Sequence, residues 1–205
     1  MMIQDTRRRA EVAALLAARE AEPAHVEQVA RLCCQLWQSL RAEPPLPRLT
    51  PAAPEWLEAA ALLHDIGWSE CPDGGGHHKA SARLIREFAW QHWTVFEIEV
   101  FSLIARYHRK AEPSRDHEPF ARLDPVQQDH VRTLAALLRV ADGLDRRHLA
   151  RVAALRGMAR PDVIVVSLTP DRTGDPLEEE IAGAQRKCGL AETVFGKPWT
   201  FQRDA

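Results

Sequence analysis

Residues 60–68 read AALLHDIGW, a dense apolar run that ends in a histidine and an aspartate side by side. Two more polar residues sit on apolar helical stripes elsewhere. His25 shares a face with Val29, Leu32, Cys33, Leu36 and Leu40, and Asp142 shares one with Val131, Ala135 and Leu138, at the spacings of a single helix side. His64 follows Leu57, Ala60 and Ala61 on the buried side of its own helix. A lone core histidine needs only a backbone carbonyl as partner. A buried ionised carboxylate is costly without a cation, so Asp65 and Asp142 each require an arginine, a lysine or a metal ion. Imidazole with carboxylate is a mixed N/O donor set that suits a divalent metal such as Mn, Fe, Zn or Ni better than Ca. His25, His64, Asp65 and Asp142 are therefore the candidate metal ligands, brought from three helices to one point.

The elements that must position them are helical. The patterning predicts helices over 5–20, 24–41, 55–66, 77–92, 95–109 and 126–149, separated by proline-rich or polar breaks at 41–54, 71–76 and 111–125. Past Arg160 the character changes. PDVIVVSLTP (161–170) is a β-branched run bounded by prolines, LEEEIAGAQRKCGLAETVFG (177–196) reads as a helix, and KPWTFQ (197–202) as a second short strand. The expected fold is mainly α: a helical bundle over 1–158 with a small α+β appendage over 159–205 packed on it. Left unpacked, the strand VIVVSL would expose an aggregation-prone edge.

Composition excludes several classes. A net charge of −2 gives no global pull towards nucleic acid or an anionic membrane, and no apolar run approaches the roughly 20 residues of a membrane helix. MMIQDTRRRAEV at the start is followed by no apolar segment, so no signal peptide is expected. Cys33, Cys34, Cys71 and Cys188 form no CxxC spacing and read as free thiols of a reducing cytoplasm. The expectation is a cytoplasmic protein with no membrane partner and no specific nucleic-acid partner, with a homodimer allowed. The six tryptophans are read as packing residues; Trp68 is included, although its place beside His64 and Asp65 would also suit a pocket mouth.

His25, the pair His64–Asp65 in LLHDIG and Asp142 in RVADGLDR resemble the H…HD…D signature of the HD-domain superfamily of metal-dependent phosphohydrolases. HHKASARLI (77–85), IARYHRKAEPS (104–114), LAALLRVADGLDRRH (134–148) and the final VIVVSL…KCGLAETVFGKPW are similar to the C-terminal HD region of the exopolyphosphatase/guanosine pentaphosphate phosphatase (Ppx/GppA) family. The resemblance runs from about residue 20 to the end. It implies an HD-type helical bundle and a divalent metal (Mn, Fe, Zn, Ni or Mg) on His25, His64, Asp65 and Asp142. His77, His78 and His108 fall where some HD enzymes place a second metal. His108 lies on a stripe with Phe101 and Ile104 and points inward; at most one of His77 and His78 faces the site, and His78 with His108 is the candidate second pair. Lys79 and Arg109 each directly follow a histidine of interest and are candidates for binding a substrate's phosphates. Lys110 and Arg146 also lie beside proposed ligands. His92, His117 and His130 follow no pattern and are expected at the surface.

The implied function is a metal-dependent phosphohydrolase acting on a nucleotide or another phosphorylated small molecule. The metal would polarise a phosphoryl oxygen and lower the pKa of bound water, and Asp65 is the candidate catalytic group, orienting that water. The alternative is a non-catalytic module that senses a nucleotide or polyphosphate together with a partner protein. It is motivated by the actin-like ATPase-fold domain that precedes this region in the family and carries its phosphatase machinery. These residues do not include that domain, so exopolyphosphatase activity is not carried over.

Overall fold

The computed structural model describes residues 2–71, 73 and 75–204; Pro72 and Gly74, in the expected break at 71–76, lie outside the described residues. The helical part runs α1 (Thr6–Arg19), α2 (Pro23–Leu40), α3 (Ala53–Leu63), α4 (His77–Glu87), α5 (Val95–Arg106), α6 (Glu118–Ala121) and α7 (Pro125–Gly143). It is followed by β1 (Val152–Ala159), β2 (Ile164–Pro170), α8 (Glu178–Lys187), α9 (Gly189–Phe195) and β3 (Trp199–Arg203). The molecule is thus mainly helical with a small three-stranded sheet near its C-terminus.

Local chemistry sets the helix ends. At the start of α7 the Asp124 side chain accepts from the Gln127 N–H at 2.9 Å, and the Gln127 side chain accepts from the Asp124 N–H at 3.0 Å. Thr94 and Glu97 make the same reciprocal cap on α5. Pro23 and Pro125 occupy first-turn positions, where a missing N–H costs nothing. Several helices stop earlier than their patterning predicts. α4 ends at Glu87 instead of residue 92, because the Trp90 indole folds back and donates to the Ile85 carbonyl at 2.7 Å. α7 ends at Gly143 instead of residue 149. Beyond it, Asp145 accepts from the Ala150 N–H at 2.8 Å, and His148 and Ala150 take positive φ of 56° and 49°. α3 ends at Leu63, so His64 and Asp65 stand in the turn leading to the 3-10 segment Ile66–Ser69.

The core lies between α2, α3, α5 and α7, where Leu32, Leu36, Leu57, Phe101, Leu134 and Leu138 are fully buried. Five fully buried leucines and a phenylalanine at such spacings each contribute about 2 kcal/mol of burial. They hold the helix faces that carry His25 and Asp142 in register.

β1 was not legible in VAALRGMA. It pairs antiparallel with β2, which pairs parallel with β3, in the order β1-β2-β3. The outer edge of β1 lies along α2, whose side chains serve as its ladder. Gln35 Oε1 accepts from the Leu155 N–H at 2.8 Å, Ser39 Oγ accepts from the Gly157 N–H at 2.9 Å, and Gln28 Nε2 donates to the Val152 carbonyl at 2.7 Å. The edge is therefore covered. β2 buries Ile164, Val166 and Leu168 on alternate positions.

α8 rests directly on the end of α7. A Cβ at Gly183 would collide with the Gly143 carbonyl oxygen, and a Cβ at Gly143 would sit 2.9 Å from the Ala184 Cα. Two glycines at one crossing allow this approach, which decides where the C-terminal end of α8 lies.

Two surface expectations need correction. His130 is buried: its Nδ1 donates to the Val126 carbonyl at 2.5 Å and its Nε2 accepts from the Thr50 N–H at 3.0 Å. His117 is half-buried against Tyr107, whereas His92 is exposed. Trp68, expected in packing, is 41% exposed. The four cysteines are free. No helix among the described residues is long and apolar enough to cross a membrane.

Candidate functional site

Three histidines are held by one nitrogen so that the other faces the same carboxylates. In the first turn of α2, His25 Nδ1 donates to Asp145 Oδ2 at 2.9 Å, leaving Nε2 at 3.8 Å from both Asp65 Oδ2 and Asp142 Oδ1. His64, just past α3, donates from Nδ1 to the Ala61 carbonyl at 2.7 Å, and its Nε2 lies 3.6 Å from Asp65 Oδ2. His108, just past α5, repeats the device on the Ala105 carbonyl at 2.7 Å, with Nε2 at 3.4 Å from Asp65 Oδ1. A carbonyl or carboxylate can only accept, so each Nδ1 carries a proton, and the neutral form of each ring presents its lone pair at Nε2.

Asp65 therefore faces two ways. One oxygen meets His25 and His64; the other meets His108 and His77, whose Nε2 is 3.3 Å away. Gly67 brings His77 there. A side chain at Gly67 would run into the His77 carbonyl and the Ser81 N–H, so only glycine lets the start of α4 close on the HDIG turn. The Gly67 N–H also donates to Ser81 Oγ at 2.9 Å.

This donor set fits a metal ion. The Nε2 atoms of His25 and His64 are buried without a hydrogen-bond partner among the described residues, which is costly unless something else fills the role. Donor atoms of His25, His64 and Asp142 lie within 4.8 Å of one another, as do those of His64, Asp65 and His108 and those of His25, Asp65 and His148. Metal bonds of about 2.1 Å place neighbouring donors roughly 3–4 Å apart. The outward Nδ1 bonds, especially His25 to Asp145, are the supports that orient ligating imidazoles.

Electrostatics follows from burial and charge. Burial would raise the pKa of Asp65, but the neighbouring His64, His77 and His108 hold its carboxyl well below the usual range. Burial acts likewise on Asp142, and Lys187, His108 and His64 overcome it, bringing the value down to about 2. Lys187 Nζ is bonded directly to Asp142 Oδ2. Burial lowers His108 to about 3, and burial with the charges of His77 and Arg109 lowers His78 to about 4.

The metal-free protein should consequently lose stability as pH falls below about 6.5. The unfolded chain protonates His108 near its ordinary 6.5, whereas the folded chain keeps it neutral to about 3. Protons thus bind preferentially to the unfolded state, and between pH 6.5 and 5 this one group costs about 2 kcal/mol. The carboxylates act lower: the contribution of Asp142 is complete above its ordinary 3.8 and is lost as pH falls through about 2. Urea unfolding of chelator-treated protein at pH 7 and pH 5 measures the difference. His108→Gln should flatten it, and an unchanged slope in that variant refutes the assignment.

The cluster opens into a cavity of about 490 Å³ lined by Asp65, Trp68, His77, His108, Asp142 and His148. Six cationic side chains complete the lining: Arg109, Lys110, Arg139, Arg146, Arg186 and Lys187. Two of these are fixed before any ligand arrives. Arg139 donates to the carbonyls of Tyr107 at 3.0 Å and Lys110 at 3.3 Å, and Arg109 Nη1 donates to His77 Nε2 at 3.2 Å. With two aspartates against six cations, the cavity suits a multiply charged anion.

The structure brings His25, His64, Asp65, Asp142 and His108 together and places Arg109 in the cavity wall. It does not place His78 against Asp65. α4 begins at His77, so His77 turns inward and is buried while His78 is half-buried beside it. Lys79, one step further round the helix, is exposed and does not line the cavity. Sequence reasoning missed Asp145, Arg139, His148, Arg186 and Lys187. Asp145 carried a readable signal, three residues beyond Asp142 in ADGLD. Lys187 carried none, because its partner lies 45 residues away.

Comparison with known proteins reaches the level of family. No curated protein matches the chain. The family model described as Ppx/GppA phosphatase, domain III, matches residues 8–161, a segment that contains His25, His64, Asp65, His108 and Asp142 and stops before α8. With most of its length matched, the chain belongs to the Ppx/GppA phosphatase domain III family.

Proposed function

We propose that this chain is a metal-dependent phosphohydrolase with an HD-type centre, acting on a nucleotide or another phosphorylated small molecule. The observation that carries the reading is a cluster of buried imidazole and carboxylate donors at the edge of a cavity walled by six cations. His25, His64, Asp65 and Asp142 would hold one metal, and the second oxygen of Asp65 with His108 and His77 would suit another. When bound, a divalent metal supplies Lewis acidity towards a phosphoryl oxygen and makes water nucleophilic near neutral pH. Asp65 orients the attacking water from the centre of the cluster. Arg109, Arg139, Arg146, Arg186 and Lys187 offset charge on the phosphates and hold the reacting group against Asp65. Lys79, facing solvent, takes no part.

The alternative of a non-catalytic sensing module is favoured by one observation: Lys187 already neutralises Asp142, so the site is electrostatically complete in part without a metal. Release of phosphate or pyrophosphate from nucleotides, guanosine tetra- and pentaphosphate and polyphosphate distinguishes the two. Hydrolysis that requires added divalent metal supports the enzyme. Saturable binding with no turnover under any metal decides for the sensor. For the enzyme, Arg186→Ala should raise KM about tenfold with kcat within about twofold, since a phosphate contact made equally in ground and transition states acts on binding. A fall in kcat with unchanged KM would contradict that role.

A further inference from the structure

Asp65, Trp68 and His148 line a second cavity as well as the cationic one. This smaller space, about 290 Å³, is completed by Glu20, Ala21, Glu22 and His25, and among the described residues no arginine or lysine lines it. Its chemistry is the opposite of its neighbour's.

Two details indicate what it would hold. The Trp68 indole is stacked on one side by His77, with ring centres 4.4 Å apart and planes at 22°, yet the ring remains 41% exposed. His77 lines only the cationic cavity, whereas Trp68 lines both. Glu20, at the α1–α2 junction, uses Oε1 to accept from the Glu22 N–H at 2.9 Å, while its Oε2 is buried with no hydrogen-bond partner among the described residues. A buried carboxylate oxygen without a donor is costly. The cavity walls therefore include an exposed indole and a glutamate one of whose oxygens lacks a donor among the described residues.

We infer that this smaller cavity is a base subsite, taking a planar nitrogen heterocycle that stacks on Trp68 and donates an N–H to Glu20. The inference rests on reading the cationic cavity as the phosphate site. A nucleoside polyphosphate then spans both, its ring beside Glu20 and its phosphates among the arginines, with Asp65 between. An alkylammonium head group would also pair with Glu20, but a cage for one needs several aromatic faces, and besides the one indole this cavity has only the imidazoles of His25 and His148, which are stacked on each other. A base on an aromatic face with one polar reader is the arrangement that stacking recognition uses.

Equilibrium binding to the full chain tests this with ATP, GTP and CTP against inorganic tripolyphosphate, which carries the same chain of phosphates and no ring. At least one nucleotide should bind about tenfold more tightly than tripolyphosphate. Glu20→Gln should reduce that margin at least threefold while tripolyphosphate affinity stays within twofold. Trp68→Ala should abolish the margin and Trp68→Phe should restore most of it. Nucleotides binding no better than tripolyphosphate, or a margin indifferent to Glu20→Gln and Trp68→Ala, overturns the base subsite and leaves the phosphohydrolase reading standing. Tighter binding of phosphocholine than of any nucleotide overturns it in favour of an ammonium head group. Binding of neither nucleotides nor tripolyphosphate overturns both readings.

Discussion

Asp142→Asn should bind a divalent transition metal at least about 100-fold more weakly than the unaltered protein, while Lys187→Met should bind it as tightly or more tightly. Asp142 has two oxygens with different neighbours: Oδ1 is 3.8 Å from His25 Nε2, and Oδ2 carries the Lys187 ammonium. The metal reading assigns Oδ1 to the ion and makes Lys187 a tethered competitor for the same negative charge. Removing the carboxylate deletes a ligand, and even the supports behind ligands are worth 10- to 100-fold in metal affinity. Removing the lysine deletes only the competitor. Asp145→Asn, which weakens the support under His25, should fall between the two. Bound metal measured on dialysed protein, followed by titration calorimetry, gives all three affinities. Equal metal content in the unaltered protein and Asp142→Asn would refute the assignment, and parallel loss in Lys187→Met would show that the lysine supports the site instead of competing for it.

Gly67→Ala should destabilise the metal-free protein by about 3 kcal/mol, a value at the upper end for overpacking. The obstacle is backbone: the new methyl meets the carbonyl of His77 and the N–H of Ser81, neither of which can rotate away as a side chain would. Relief requires α4 to retreat from the HDIG turn, which moves His77 off Asp65. Gly75→Ala is the control, because a Cβ there meets nothing within 4 Å among the described residues, and it should stay within about 0.5 kcal/mol of the unaltered protein. Denaturant midpoints with unchanged m-values give the comparison. Equal stability of the two variants would show that the turn yields more easily than its contacts imply.

What could be read in the sequence was what repeats. His25 and Asp142 stood out because apolar neighbours at helical spacing fixed the faces they share, and the same periodicity located α1 to α5 and α7 to within a few residues. The ends were less legible, because they depend on single contacts such as Trp90 on the Ile85 carbonyl. β1 was hidden for a different reason. Its alanines and Leu155 favour a helix, and the strand forms because β2 on one side and Gln28, Gln35 and Ser39 on the other satisfy its backbone. The choice between His77 and His78 turned on which residue opens α4, a one-residue question that periodicity does not answer. The cationic wall was half visible: Arg109 follows His108 in the chain, whereas Arg186 and Lys187 reach the cavity only because Gly143 and Gly183 let two helix backbones touch.

That glycine contact also orders events in time. Synthesis delivers Asp65 and Asp142 well before Lys187, which follows Asp142 by 45 residues, and the His25–Asp145 bond itself closes a loop of 120. Such distant closures come late in folding, because their chain entropy is spent before contact rewards it. Until α8 docks, Asp142 shares one pocket with Asp65 without the lysine that pairs with it, and only the histidines of the helical part offset that repulsion. A divalent ion captured at this stage would relieve it sooner than the chain can. On the metal reading, docking of α8 adds Lys187 to a carboxylate that a cation would otherwise balance.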